Sequence, residues 1–84
     1  MAGRKTTYRE LSSAPIGDRR NLVISETLKD GEHCGFTLAQ QIEVEEGRKV
    51  TKIFLRNGVH VANADYLEEL RDALTLALED FNGK

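Results

Sequence analysis

Lys52, Phe54 and Arg56 are the residues whose types and spacing most suggest chemistry. In an extended chain, residues two apart share a face, so Lys-x-Phe-x-Arg sets an aromatic ring between two cations. The ring can stack on a nucleobase while the cations meet phosphates, an arrangement suited to single-stranded nucleic acid. Thr37 and Gln41 would add neutral hydrogen-bonding groups beside it, and Arg48 and Lys49 would support it from the adjoining hairpin. The same spacing also describes a half-solvated strand whose Phe54 packs against a second subunit or a folded-back N-terminal arm. Catalysis finds less support. Glu32-His33-Cys34 offers a base beside a nucleophile, but neighbouring residues on a strand point apart. Cys34 reads better as a small half-buried residue. His33, Cys34 and the distant His60 are too few for a metal site. The glycines stand singly in turns, without a phosphate-cradling loop, and the pairs Glu45-Glu46 and Glu68-Glu69 read as a solvated turn and a helix start. A non-enzymatic protein with neither cofactor nor metal is expected.

The elements that must position the triad follow from periodicity. Leu22, Ile24 and Leu28 share one parity, interrupted by Glu26, with Val23, Ser25 and Thr27 on the other, which describes a first strand from Asn21. Asp30-Gly31 is a turn. Residues 35–44 alternate again, Phe36, Leu38, Ile42 and Val44 against Thr37, Ala39, Gln41 and Glu43. After the charged reversal Glu45-Glu46-Gly47-Arg48, residues 49–56 form the third strand. Asn57-Gly58 is a hairpin signature leading into a short fourth strand, Val59-His60-Val61. Leu67, Leu70, Leu74, Leu78 and Phe81 then recur at helical spacing. Asp65 with Glu68 suggests a capping box, and Asn82-Gly83 a left-handed stop. The expectation is an α+β fold: a four-stranded antiparallel meander followed by one C-terminal amphipathic helix lying across it. Residues 1–18, which lack a sustained period and end on Ala14-Pro15-Ile16-Gly17, read as a flexible basic arm ahead of a single domain over residues 19–84.

Length and charge bound the function. The chain has 84 residues, 39% of them hydrophobic and 31% charged, with one Cys and no Trp. That is one small domain whose core rests on Leu, Ile and Val. A single Cys excludes an internal disulfide framework and favours a reducing compartment, the cytoplasm. No apolar run approaches a membrane span, and the Met1 region lacks the core of a signal peptide, so no membrane association is expected. The net charge of −2 speaks against a generic nucleic-acid binder. It is, however, unevenly held. Residues 1–20 carry Arg4, Lys5, Arg9, Arg19 and Arg20 against Glu10 and Asp18, while residues 62–84 carry Arg71 and Lys84 against six carboxylates. A basic strip can exist inside an acidic total. The small core favours a homodimer, and Leu76, opposite Leu67 on the helix and amid acidic residues, is the candidate interface residue.

The run from the basic and aromatic strand at Lys49 through Arg56-Asn57-Gly58-Val59-His60-Val61 to Leu67-Glu68-Glu69-Leu70 resembles the final strand-to-helix passage of the positive cofactor four family and its Pur and whirly relatives. The likeness covers residues 21–80. It implies a homodimer whose exposed β-surface binds single-stranded DNA or RNA, often in transcription. Lys52, Phe54 and Arg56 would be the matching surface residues, with Lys49 and Arg48 beside them. Arg19, Arg20 and the arm would add phosphate contacts. The alternative is a protein-interaction module that uses the acidic helix or an open sheet edge to recruit a partner.

Overall fold

The computed structural model describes residues 5–83. Five antiparallel strands and a C-terminal helix make the α+β fold: β1 Thr6–Gly17, β2 Arg20–Lys29, β3 Glu32–Glu46, β4 Lys49–Phe54, β5 Val59–Val61 and α1 Ala64–Asn82. Strands β1 to β4 are neighbours in chain order, a four-stranded antiparallel meander as expected in kind, though it begins one strand earlier than Asn21 and leaves β5 off its path. Two-residue turns join the first four strands. Each has a residue at positive φ: Arg19 at 57°, Asp30 and Gly31 at 52° and 82°, and Gly47 at 63°. Asp30-Gly31, with both residues left-handed, matches the hairpin turn that suits the twist of paired strands.

Two expectations change here. The stretch expected to be a flexible arm is in large part a strand, since β1 pairs with β2 from Thr6↔Lys29 to Gly17↔Arg20. Its sequence shows no period because the whole strand is exposed. What holds it is the ladder itself, an Arg9–Glu26 ion pair at 2.9 Å and a bond from Lys5 N to Asp30 Oδ1 at 3.0 Å. Residues 1–4 of the expected arm lie outside the described residues.

Asn57-Gly58 is not a hairpin either. β5 pairs with β3, not β4, through Phe36↔Val61, Thr37↔His60 and Leu38↔Val59. β4 pairs with the other half of the same β3 edge, ending at Gln41↔Phe54. β4 and β5 are therefore one interrupted strand, and residues 55–58 bulge opposite only Ala39 and Gln40. Leu55 N donates to Gln40 O at 2.9 Å and Gly58 N to Arg56 O at 3.1 Å, so the bulge keeps part of its backbone bonding. A Cβ on Gly58 would lie 3.1 Å from Thr37 Cγ2, which explains a residue without a side chain at this close approach.

The helix also departs from expectation. Asn63, not Asp65, is the N-cap, its side chain accepting from Tyr66 N at 3.1 Å. Gly83 closes the helix at φ −80°, in the right-handed region rather than the left. Most of all, α1 does not lie across the sheet. Leaving β5 through only Ala62 and Asn63, it packs chiefly on that strand, and only Leu67 and Leu70 become half-buried. Leu74, Leu78 and Phe81, expected to face the sheet, are 64%, 60% and 76% exposed. The apolar core is correspondingly slight: Val23, Leu38 and Val61.

Candidate functional site

The sheet has two unlike faces. Cross-strand register places Leu22, Ile24 and Glu26 with Gln40, Leu38 and Phe36 on one, and Val23, Ser25 and Thr27 with Ala39, Thr37 and Gly35 on the other. The first carries a charged cluster. Arg9 donates to Glu26 Oε1, and His33 Nδ1 lies 2.7 Å from Glu26 Oε2. The bond from Arg9 and then that to His33 hold the Glu26 carboxyl below its ordinary range. His33 also meets Phe36 edge to face, with ring centroids 5.2 Å apart.

The second face holds a cavity of about 690 Å³. Thr6 and Tyr8 of β1 wall one side. Ser25, Thr27 and Lys29 of β2, with Cys34, Thr37 and Ala39 of β3, line its middle, and Phe54, the bulge residues Leu55, Arg56 and Gly58, and His60 of β5 line the other side. Three basic and two aromatic residues thus line one concavity, and among the described residues no Asp or Glu lines it. Glu10, opposite Ser25, and Glu43, opposite Lys52, share this face by register without lining the cavity.

Backbone irregularities shape this site. Thr27 pairs with Gly35 but Leu28 with His33, leaving Cys34 as an extra residue in β3. Gly35 takes φ 137°, and a Cβ there would sit 2.7 Å from both His60 Cε1 and Val61 O. The missing side chain is what lets the His60 ring lie against β3. The bulge of residues 55–58 breaks alternation, so that Leu55 and Arg56 both reach the cavity.

The structure divides the residues singled out in the sequence. Phe54, half-exposed on β4 opposite Gln41, and Arg56 line the cavity together with Thr37. Lys52 precedes them on β4 opposite Glu43. Arg56 is not on β4 at all, so the three are not a strand triad: two are, and the third comes from the bulge. Lys49, opposite Glu46, and Arg48 in the adjoining turn belong to the far hairpin tip, roughly 16 Å along β4 from Phe54. Arg20 begins β2 near that end, and Arg19 Nη1 already meets Glu45 Oε2 at 3.0 Å. Leu76 is 65% exposed, no more so than Phe81 on the helix's main apolar stripe.

Several cavity residues lie outside the sequence reading. Tyr8 lies in a stretch whose lack of period predicts an arm, and Ser25, Thr27 and Lys29 carry no motif. His60 could have been found, since the alternation that puts Val59 and Val61 on one face sends it to the other. Glu32-His33-Cys34 separates as strand geometry requires, His33 to Glu26 and Cys34 to the cavity. Among the described residues, no three His, Cys, Asp or Glu side chains gather as a metal site, and no helix is long and apolar enough to cross a membrane. No protein family, curated protein or solved structure matches the chain.

Proposed function

We propose that the protein is a homodimer that binds single-stranded DNA or RNA through the cavity-bearing face. The observation that carries this reading is the lining itself: Tyr8, Phe54, Lys29, Arg56 and His60 around one concavity free of carboxylates, in a chain of net charge −2. Aromatic rings give stacking platforms and the cations meet phosphates, the two components of single-strand binding. Tyr8 on β1 and Phe54 on β4 stand on opposite sides of the cavity, so a strand crossing the sheet would meet one and then the other. The likeness to the positive cofactor four family adds transcription as the setting.

Surface area supports the dimer. The chain exposes 7043 Å², whereas a compact monomer of 9.4 kDa should expose about 5,000 Å², an excess of about 2,000 Å². Its radius of gyration, 15.7 Å, compares with about 12 Å for a compact chain of this length. The excess is what one partner of a stable dimer buries in an obligate interface. Its apolar part is shared between the sheet and α1, where Leu74, Leu78 and Phe81 give a broader seam than Leu76 alone.

Binding of short labelled oligonucleotides at 50 and 200 mM salt tests the proposal. Affinity should fall steeply with salt. Phe54→Ala should cost about 1–3 kcal/mol, the worth of one lost stack, and Arg56→Ala should reduce the salt slope by about one. Salt-independent affinity, or none at low salt, overturns it. Absence of binding together with a stable complex with another protein would favour the interaction module, for which the exposed face of α1 is the available surface.

A further inference from the structure

The most buried row of β2 is mostly polar. Val23, Ser25 and Thr27 are only 1%, 9% and 5% exposed, and two of the three carry hydroxyls. A buried hydroxyl costs free energy unless it is bonded; here Thr27 is bonded, and no side-chain polar atom among the described residues is both buried and unpartnered, so the Ser25 hydroxyl is open to the cavity's solvent. Across the ladder, Thr27 Oγ1 and Thr37 Oγ1 lie 2.6 Å apart. One hydroxyl donates and the other accepts, which leaves one hydroxyl hydrogen and spare lone pairs for the cavity. Ser25 has no side-chain hydrogen bond among the described residues, and it is one of the residues that line the cavity. Next to Thr37 in the ladder, His60 lies over Gly35, adding one ring donor and one acceptor when neutral.

We propose that Ser25, Thr27, Thr37 and His60 read the edge of one nucleobase seated in the cavity, which makes single-strand binding base-selective. This rests on the nucleic-acid reading above and goes beyond it, since stacking and phosphate contacts are tolerant of sequence. The chemistry decides between base and phosphate as the floor's occupant. A phosphate offers only acceptors and calls for cations, which Lys29 and Arg56 provide elsewhere in the lining. A base edge mixes donors and acceptors, as hydroxyls and a neutral imidazole do. The cavity, about 690 Å³, falls within the span of small-ligand pockets. Hydroxyls that a seated base shuts off from water, and that the wrong base leaves unpaired, supply the discrimination.

The test is fluorescence anisotropy with short homopolymers of thymidylate, cytidylate and adenylate, on the full chain and on Thr27→Val/Thr37→Val. Removing both hydroxyls while keeping the shape leaves neither one buried and alone, so the fold should persist. The unaltered protein should show a spread of about tenfold or more between best and worst homopolymer. In the double variant that spread should collapse while affinity for the worst homopolymer stays the same. Should the double variant melt early, Ser25→Ala, which removes a hydroxyl with no protein partner, serves in its place. Equal affinities in the unaltered protein, or a spread that survives the substitution, overturn base reading and leave single-strand binding standing. If no homopolymer binds the unaltered protein, the nucleic-acid reading itself fails.

Discussion

Gly35→Ala isolates the contact on which the cavity depends. Two costs act at this position. The backbone sits at φ 137°, where an L side chain is strained, and the added Cβ would stand 2.7 Å from His60 Cε1 and from Val61 O. Strain at such a dihedral costs about 1–3 kcal/mol, and forcing an extra carbon into filled space costs about 1–3 kcal/mol more. The imidazole could swing aside, but the Val61 carbonyl belongs to the β3–β5 ladder and cannot move without breaking it. The sum, about 2–6 kcal/mol, is a large share of what a domain this small possesses. Gly47→Ala is the control, because Gly47 also has positive φ, 63°, but meets nothing within 4 Å. Thermal unfolding followed by circular dichroism should therefore place Gly35→Ala well below Gly47→Ala, by roughly 4–8 °C for each kcal/mol of the steric difference. Equal midpoints would refute the argument, since they would mean that the β3–β5 contact is not held as closely as this geometry requires. A second consequence separates site from fold: at a temperature where Gly35→Ala remains folded, oligonucleotide affinity should still drop, because His60 can no longer lie against β3.

Glu26 sets an acid dependence. Its carboxyl is held below the ordinary value of 4.5 by Arg9 and His33, so the folded chain binds that proton less readily than the unfolded chain does; the ionised group contributes stability above about pH 4.5 that is lost as pH falls through the lower folded value. Unfolding midpoints measured from pH 7 down to pH 3 should decline less steeply in Glu26→Gln than in the unaltered protein, and parallel declines would contradict the role of the Arg9–Glu26–His33 cluster. If the protein dimerises as proposed, Leu74→Glu with Phe81→Glu should give monomer in sedimentation equilibrium, while Leu76→Glu alone should do so less completely; a dimer unchanged in the double variant would move the interface off this face of α1.

What the sequence made legible was the alternation within β2 and β3, the left-handed turn at Asp30-Gly31 and the period of α1. Each is a local pattern of side chains, and each forms at the expected residues. Misread elements were those whose order comes from elsewhere in the chain. β1 has no buried face, so its twelve residues show no alternation, and only the ladder to β2 reveals it. Asn57-Gly58 has the composition of a tight turn, yet the long edge of β3 gives β5 a partner without any reversal, and the dipeptide becomes a bulge. Of the cavity lining, Phe54 and Arg56 are legible because cation and ring stand close in sequence. Tyr8, Thr27 and Lys29 come together with them only through three ladders, and no spacing along the chain encodes that.

The bulge explains how an acidic chain can present a basic concavity. In an unbroken strand Leu55 would follow Ile53 to the opposite face, and Arg56 would stand one step beyond Phe54 as another evenly spaced side chain. Setting four residues against two lets both Leu55 and Arg56 join the lining beside Phe54, while Gly58 allows the chain to pass close over Thr37. Several carboxylates are held away from it: Glu26 by Arg9 and His33 on the opposite face, Glu45 by Arg19, and those of α1 on a helix that packs chiefly on β5, while Glu10, Glu32 and Glu43 share the cavity's face by register without lining it. At close range, field strength depends on which charges line a concavity and not on their sum over the molecule. A net charge of −2 therefore does not weigh against an anionic ligand at this site, and the salt slope of binding should report on Lys29 and Arg56 rather than on the chain's total.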